Sequence, residues 1–575
     1  MNQFKKIKTN IGYLKKLFIM PESPDKFVEF GHELLELIHD FFQEKGGIHS
    51  SAMLPDLSNI FNQTSIPDSP LLIKDVLSEI KSKVIDHSVK VGSPYYIGHM
   101  TSAIPYFMIL LEMIIAALNQ NQVKIETAKA SSFVERELVA WLHNLIFNKR
   151  PAFYEKNIHN PKVSLGNVTS DGTLSNVTAL MVAREKAFPP DGKFPGFRAS
   201  GAASALRHYG YSRGVILVST RGHYSISKAA NILGIGESNV IKIPVDMNNR
   251  IDVKKLVQRI KKFNNSKGKD RVKIISIIGI VGTTETGNID DLEALAEISQ
   301  SSSAHFHVDA SWGGPALLAD EYRPVFKGID KADSVAFDSH KLLYCPASMG
   351  LALFKSEKDL DYIKHSSRYI IRKNSVDTGR FTLEGSRPFA CLKPWASLKI
   401  IGSKGYGLLF RHARNSTDYF KEILDSCANF ETLNNPELFI LNYRFIPEQV
   451  QNQIISWKKS RTQNGKRIKQ AETLIQKTNR LINSLNVKLH RALRKDDTTF
   501  VSRTTLESTI YRPQNIVVLR AVLINPLTEK ETLNEIKETQ NRIGLEIWKE
   551  YKPAFERIRT VNGQGHLQNP PSNYP

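Results

Sequence analysis

One lysine stands where its amine could take part in covalent chemistry. Lys341 ends the segment Asp338-Ser339-His340-Lys341, directly after the apolar run 334–337. A lysine that is partly removed from water has a lowered pKa, and its neutral amine can form an imine with an aldehyde. The hydroxyl of Ser339 and the imidazole of His340 could contact a phosphate or a substrate. The segment therefore indicates a site that binds an aldehyde.

A carboxylate, Asp309, ends a second apolar run at 305–309. A buried aspartate beside a pyridine keeps the ring nitrogen protonated, and the protonated ring can accept electrons that are released when a bond at Cα breaks. His223 follows a third run, 215–219, and its imidazole could lie flat on the same ring. Thr283 closes the run that begins at residue 272 and would place a hydroxyl at the ring's other edge.

A polar turn over residues 166–173 leads into a helical stretch. Ser170, Asp171, Gly172 and Thr173 offer polar side chains and free backbone N–H groups at a helix N-terminus, which suits a phosphate. The carboxylate of Asp171 is unfavourable beside a phosphate unless it turns away to cap the helix. Taken singly, each feature has a structural alternative: a capped helix start, a capping aspartate, a loop histidine or a surface lysine. All four follow predicted strands, however, and together they describe one site.

The elements that must position these residues lie between residues 93 and 402. Short β-branched runs at 215–219, 240–243, 272–281, 305–309 and 334–337 alternate with helical stretches. This pattern predicts an α/β fold with a mainly parallel sheet covered by helices on both faces, and such folds bind ligands at the carboxyl ends of the strands. We expect a helical segment over 1–92 and a smaller α+β domain over 403–575, with helices at 452–493 and 529–551 and a strand at 517–524.

The composition limits the possible partners. The chain has 575 residues, with 78 basic and 57 acidic side chains and a formal net charge of +21. An anionic ligand suits this charge, but no zinc-finger or RNA-binding signature accompanies it, so we expect a solvated basic face rather than a nucleic-acid partner. Three widely spaced cysteines predict reduced thiols, a cytoplasmic location and no metal site. The apolar stretch 104–118 is shorter than the roughly 20 residues of a bilayer span, and predicts a buried helix and no membrane contact.

The order of these motifs resembles that of the group II pyridoxal-phosphate-dependent amino-acid decarboxylases. The matching segments are His223 to Ser225 with Lys228 to Ala230, Gly282 to Thr284 with Gly287 and Asp290, His307 to Gly314, and Asp338 to Lys341. The resemblance runs in register over about residues 93 to 410. Further stretches at 95–103, 382–388, 500–504 and 525–528 resemble the aspartate 1-decarboxylases of proteobacteria.

The resemblance implies the fold type I architecture of PLP-dependent transferases, with a seven-stranded sheet and pyridoxal 5′-phosphate as the cofactor. It implies that Lys341 carries the cofactor, that Asp309 contacts the ring nitrogen and that His223 stacks on the ring. Tyr369 is then the expected proton donor of a mobile loop, with His223 as its competitor.

The resemblance also implies how the substrate is held. Arg387 corresponds to an arginine that grips a carboxylate, and the active unit is a homodimer with its sites at the subunit interface. His99 and Thr101 then line the pocket for the substrate's side chain.

An acidic L-amino acid is the expected substrate on subgroup grounds. L-Aspartate, which gives β-alanine, comes first and L-glutamate, which gives 4-aminobutyrate, comes second; aromatic amino acids are less expected. Transamination or aldol-type cleavage would use the same Lys341 and Asp309. A basic scaffold or nucleic-acid-binding protein is the non-enzymatic alternative.

Overall fold

The computed structural model describes residues 11–44, 47–50, 52–367, 375–460 and 465–560. The helices in these ranges are α1 Ile11–Lys15, α2 Phe27–Gln43, α3 Leu54–Ile60, α4 Ile73–Lys83, α5 Tyr106–Leu118, α6 Ile125–Ala128, α7 Ala130–Phe147, α8 Pro151–Asn157, α9 Gly172–Ala187, α10 Phe197–Tyr209, α11 Tyr224–Ile232, α12 Val253–Asn264, α13 Leu292–Ser301, α14 Leu392–Ile400, α15 Gly402–Asp425, α16 Glu448–Ser460, α17 Gly465–Asp496 and α18 Lys530–Thr560.

A seven-stranded sheet organises the larger part of the chain. Its strands are β1 Gly166–Thr169, β2 Arg213–Ser219, β3 Val240–Ile243, β4 Val272–Ile280, β5 His305–Asp309, β6 Ser334–Asp338 and β7 Gly350–Phe354, in the order β1-β7-β6-β5-β4-β2-β3. The β2–β3, β2–β4, β4–β5 and β5–β6 pairs are parallel, and β7 is antiparallel to both of its neighbours. The mainly parallel sheet of the sequence prediction is confirmed.

Helices cover both faces of this sheet because successive strand residues point to opposite sides. In β2, Ile216 and Val218 pack with Leu180 of α9, whereas Val215 and Leu217 belong to the core that includes Leu256 of α12. Buried apolar side chains on both faces explain why the strands are nearly continuous hydrophobic runs. The carboxyl ends of the parallel strands then meet at one edge.

A second, four-stranded antiparallel sheet follows in the chain. Its strands are β8 Phe430–Thr432, β9 Ile440–Phe445, β10 Ser502–Leu506 and β11 Ile516–Val522, in the order β10-β11-β9-β8. Helices α17 and α18 pack on it through a shared apolar core. The segment around Ile97 joins this sheet: its N–H donates to the Phe500 carbonyl at 2.9 Å and its carbonyl accepts from Val522 N–H at 2.6 Å. This contact carries residues 98–101 toward β11.

Helix α5 differs from the sequence prediction. Residues 104–118 predict a buried helix, but Leu110, Met113, Ile114 and Leu118 are each more than two-fifths exposed. The prediction of burial is wrong for this face, since only Met108 and Ile115 of α5 are buried. No helix in the described ranges is long and apolar enough to cross a membrane. The boundaries at residues 92 and 402 stay a prediction.

Candidate active site

The site is built where β5 and β6 end side by side. The two strands are parallel neighbours, with Asp309 at the end of β5 and Asp338 at the end of β6. Lys341 lies on the turn after β6, and its Nζ is 2.9 Å from Oδ2 of Asp338. The charges of Lys341 and Asp309 act on each other's pKa, so the amine and the second carboxylate share one locality.

Asp338 changes the electrostatics that the sequence predicts for Lys341. Burial by itself lowers the pKa of the amine, but the adjacent carboxylate of Asp338 and the charges of Asp309 and Asp171 raise it overall. The prediction of a lowered pKa is therefore wrong for Lys341 paired with Asp338. The ion pair holds the amine in place at the strand end, and its proton must be given up before the nitrogen can act as a nucleophile.

Asp309 is a buried, hydrogen-bonded carboxylate, with 7% of its surface exposed. Oδ1 accepts from the Ser311 hydroxyl at 2.6 Å and from the Ser311 N–H at 3.2 Å, and Oδ2 accepts from Asn176 Nδ2 at 3.0 Å. Burial raises the pKa of Asp309, but these donors and the nearby cation of Lys341 bring it below its ordinary value. The group remains an anion, as a partner of a protonated ring nitrogen must be.

His223 lies at the start of α11 beside these charges. Its Nδ1 accepts from the Ser225 N–H at 3.3 Å and is 2.9 Å from the Ser225 hydroxyl. Burial lowers the pKa of His223, while the carboxylate of Asp309 opposes that effect. A largely neutral imidazole follows, which suits stacking on a heterocycle better than a cation does.

The turn after β1 has the features that a phosphate requires. Asp171 is the N-cap of α9, and its Oδ1 accepts from the Leu174 N–H at 2.8 Å. The carboxylate of Asp171 therefore caps the helix, which is the condition under which a phosphate can bind at this turn. In the described part of the chain, no acceptor contacts the N–H groups of Gly172 and Thr173. Ser170 is exposed at the same turn.

Gly172 allows this turn to approach the two strand ends. A Cβ at this position would lie 2.7 Å from the Ser311 hydroxyl and 2.8 Å from Oδ2 of Asp338, closer than side chains tolerate. The absence of a side chain at Gly172 therefore lets the turn after β1 approach Asp338 and Ser311 without displacing their polar groups. Oδ1 of Asp338 is buried without a hydrogen-bond partner among the described residues. Free amides, a charged carboxylate and a lysine amine at one place fit pyridoxal phosphate.

Three further predicted residues use their polar groups locally. Ser339 Oγ donates to the Met349 carbonyl at 3.2 Å, and His340 Nδ1 is 3.2 Å from that same oxygen. The Thr283 hydroxyl is 2.8 Å from the Thr286 hydroxyl. All three lie on the loops that follow β4 and β6, so the structure brings them to the predicted edge, where they order the loops.

The guanidinium of Arg387 forms hydrogen bonds to other groups of the protein. Its Nη1 and Nη2 donate to the two carboxylate oxygens of Glu135 at 3.1 and 3.0 Å, and also to the Val168 carbonyl and the Thr378 hydroxyl. Both terminal nitrogens are then fully used, and the side chain is buried. We therefore correct the prediction that Arg387 grips a substrate carboxylate: its guanidinium has no pair of donors left to offer.

Arg387→Met is expected to lower the free energy of unfolding by about 3–5 kcal/mol, because the Glu135 carboxylate stays buried without its partner. The KM for the amino-acid substrate should stay near that of the wild type. Urea denaturation and steady-state kinetics of the folded fraction measure the two effects. Adding Glu135→Leu should recover part of the stability, whereas a large rise in KM in a stable Arg387→Met protein would restore the substrate-binding role.

The remaining predicted residues divide into one that lies outside the described residues and two that lie near the site. Tyr369 falls in the range 368–374, outside the described residues. His99 Nδ1 is 2.8 Å from the Thr101 hydroxyl. The pKa of His99 is lowered by burial and then by the charges of Arg520, Lys341 and His340, so these groups lie within electrostatic range of His99.

Arg520, on β11, is a candidate that the sequence analysis missed. Its Nη1 donates to the Gly98 carbonyl at 3.3 Å and to Ser502 Oγ at 3.1 Å, whereas Nε and Nη2 have no partner among the described residues. Burial lowers the pKa of Arg520 to about 10, and Glu285 opposes this. A buried guanidinium with unused donors could bind an anion. The available signal was a lone arginine inside the apolar run 516–524.

Comparison with known proteins agrees with this geometry. The family described as the pyridoxal-dependent decarboxylase conserved domain matches residues 55–446. Aspartate 1-decarboxylase of Aliivibrio fischeri is 38% identical over 532 residues, which cover 92% of this chain and 94% of the relative. An acidic amino acid decarboxylase of Homo sapiens is 28% identical over 378 residues, covering 64% of this chain and 67% of the relative.

Solved structures show the same fold. The structure of Oryza sativa TDC with PLP and tryptamine superposes with a TM-score of 0.75 at 18% identity, and the match covers 92% of this chain and 100% of that one. The family match spans more than half of the chain, and the bacterial relative is similar over nearly its whole length. The chain therefore belongs to the pyridoxal-dependent decarboxylase family, fold type I, and is a carboxy-lyase that uses pyridoxal phosphate to decarboxylate an amino acid.

Proposed function

We propose that this enzyme decarboxylates an acidic L-amino acid, with L-aspartate as the substrate and β-alanine and carbon dioxide as the products. The unpaired donors of the buried Arg520 carry the proposal, since they supply one fixed positive group whose charge, like that of Lys341, acts on His99. The similarity to an aspartate 1-decarboxylase supports it. L-Glutamate is the second candidate, because the similar human protein is named for acidic amino acids in general.

The chain's own residues account for binding and orientation. Lys341 provides the amine that attaches the cofactor, Asp309 the anion for its ring nitrogen, and His223 a neutral ring to stack on it. The free amides of Gly172 and Thr173 would hold the phosphate. When bound, the cofactor accepts the electron pair that is released as the bond from Cα to the carboxylate breaks. Tyr369 remains the proposed proton donor to Cα, with His223 as the alternative.

Arg520 is better suited to the carboxylate that stays on the substrate than to the one that leaves. An arginine that gripped the departing carboxylate would stabilise the bound substrate more than the transition state, in which that charge is lost. The same contact to a side-chain carboxylate persists through the reaction and fixes the orientation of Cα. This assigns the acidic side chain to Arg520, His99 and Thr101.

A panel of amino acids tests the proposal with purified protein and added pyridoxal phosphate. We expect amine and carbon dioxide from aspartate, with glutamate slower, and no reaction of tyrosine or tryptophan. Chromatography of the amine and release of labelled carbon dioxide from the α-carboxyl measure the outcome. Turnover of aromatic amino acids alone would contradict the substrate, and a keto acid in place of the amine would contradict decarboxylation.

We also propose a homodimer, formed in part by α5. Leu110, Met113, Ile114 and Leu118 lie at helical spacings along one face and are exposed in the single chain. An apolar helix face of this kind is typical of a protein–protein interface.

Location in the cytoplasm stays a prediction from the three cysteines, all of which are free.

Replacement of both Met113 and Ile114 by aspartate is expected to convert dimers to monomers, because two charges would be buried unpaired in the interface. Sedimentation velocity at several concentrations measures the change. Ile455→Asp, at a comparably exposed isoleucine of α16, is the control and should leave the mass unchanged. A wild-type protein that sediments as a monomer would contradict the proposed dimer.

A further inference from the structure

A chain of buried hydrogen bonds leads from Asp309 into the sheet. Oδ2 of Asp309 accepts from Nδ2 of Asn176 at 3.0 Å, and Oδ1 of Asn176 is 2.8 Å from Nε2 of His307. Nδ1 of His307 is 2.9 Å from the Ser334 hydroxyl, which is 2.7 Å from Nε2 of His305. All five side chains are buried, so each depends on the others for its polar contacts.

The Asp309 carboxylate fixes the direction of every bond in this chain. An ionised carboxylate only accepts, so Asn176 turns its NH₂ to Asp309 and its carbonyl oxygen to His307. His307 must then donate from Nε2, and its Nδ1 accepts from the Ser334 hydroxyl, which in turn accepts from His305. Both histidines are neutral, since burial lowers the pKa of His305 to about 3 and that of His307 to about 4.

The same amide also reaches His223. Nδ2 of Asn176 donates to the Ser225 hydroxyl at 3.0 Å, and that hydroxyl is 2.9 Å from Nδ1 of His223. The backbone N–H of Ser225 also points at Nδ1, which makes Nδ1 an acceptor. In the neutral ring the proton is therefore on Nε2. One side chain thus contacts Asp309 directly and His223 through a single hydroxyl.

We propose that Asn176 is a positioning residue that keeps Asp309 ionised and fixes His223 with its proton on Nε2, and that His307 supports it. The proposal rests on the proposed roles of Asp309 and His223 toward the cofactor. Hydrogen bonds to ionised groups are among the stronger ones in proteins, and a buried carboxylate that loses one is protonated more easily. A protonated Asp309 would no longer hold a proton on the ring nitrogen.

Asn176→Leu removes the amide at nearly constant volume. We expect the dissociation constant of pyridoxal phosphate to rise about tenfold or more. We also expect nitrogen NMR of protein loaded with ring-labelled cofactor to shift toward the unprotonated form. Thr178→Val, equally buried on the same helix, should change neither quantity. Neither readout needs a substrate, so the test does not depend on which amino acid is decarboxylated.

His307 provides a second pair of variants in case Asn176→Leu does not fold. The amide of His307→Gln can still donate to Asn176, so its cofactor affinity should stay near the wild type, whereas His307→Leu should weaken binding. Folded Asn176→Leu or His307→Leu protein with unchanged affinity and ring protonation would overturn the proposal, as would equal losses in the two His307 variants. Unchanged readouts in Asp309→Asn would instead overturn the proposed role of Asp309.

Discussion

Lys341→Ala is expected to lower kcat by ~10³-fold or more, because alanine has no amine to attach the cofactor covalently at this position. The amine lies at the end of β6, 2.9 Å from Asp338, and the Asp309 charge acts on it. Steady-state amine formation measures the loss. Mass spectrometry after borohydride treatment should find the cofactor on the Lys341 peptide of the wild type and nowhere on the variant.

Two further variants separate the loss of the reactive amine from the loss of the positive charge. Lys341→Arg keeps a cation for Asp338 but cannot lose its proton in a protein, so it should be as inactive as Lys341→Ala while better preserving stability. Lys186→Ala is the matched control, because Lys186 also pairs with a buried aspartate, Asp359, at 3.2 Å and is similarly exposed. We expect that control to retain activity. Substantial turnover by Lys341→Ala would refute the assignment of the cofactor lysine.

The sequence predicted strands β2 to β6 well, including the edge strand β3, and the opposite edge of the sheet poorly. The runs at 215–219, 240–243, 272–281, 305–309 and 334–337 correspond to β2 through β6 within two residues at either end. Strands β2, β4, β5 and β6 are almost wholly buried and therefore nearly continuously apolar, whereas β3 is partly exposed but still rich in β-branched residues. Residues 166–169 were expected in a turn but form β1. This edge strand of Gly-Asn-Val-Thr pairs only with β7, so long-range pairing rather than local composition defines it.

The same distinction between local composition and long-range contacts holds for the residues of the site. The placement of Lys341, Asp309 and His223 at one edge of the sheet was predictable, because each lies at the end of a parallel strand or within four residues after it, and parallel strands bring their ends together. Arg387 was misassigned because its partner Glu135 lies 252 residues away in the sequence. Asn176 was missed because its proposed function depends on the contact of α9 with the end of β5, where it meets Asp309. The sequence around an asparagine inside a helix does not indicate such a contact.

Arg520→Met is expected to lower kcat/KM for the acidic substrate by ~10²-fold or more, since a substrate carboxylate would enter a buried site with no cation to pair with. The unused Nε and Nη2 of Arg520 are the donors that this contact requires. Arg520→Lys should retain an intermediate activity, because it keeps the charge but loses the planar pair of donors.

The ratio of kcat/KM for aspartate to that for asparagine distinguishes a loss of side-chain recognition from a general loss of activity. Asparagine has nearly the same shape without the side-chain charge, so the ratio should fall in Arg520→Met while the slow reaction of asparagine changes little. Arg503→Met, on the adjacent strand β10 with its side chain exposed, should leave the ratio unchanged. Equal losses for both substrates in Arg520→Met would show that Arg520 instead serves the α-carboxylate or the fold, and the acidic side chain would need another partner.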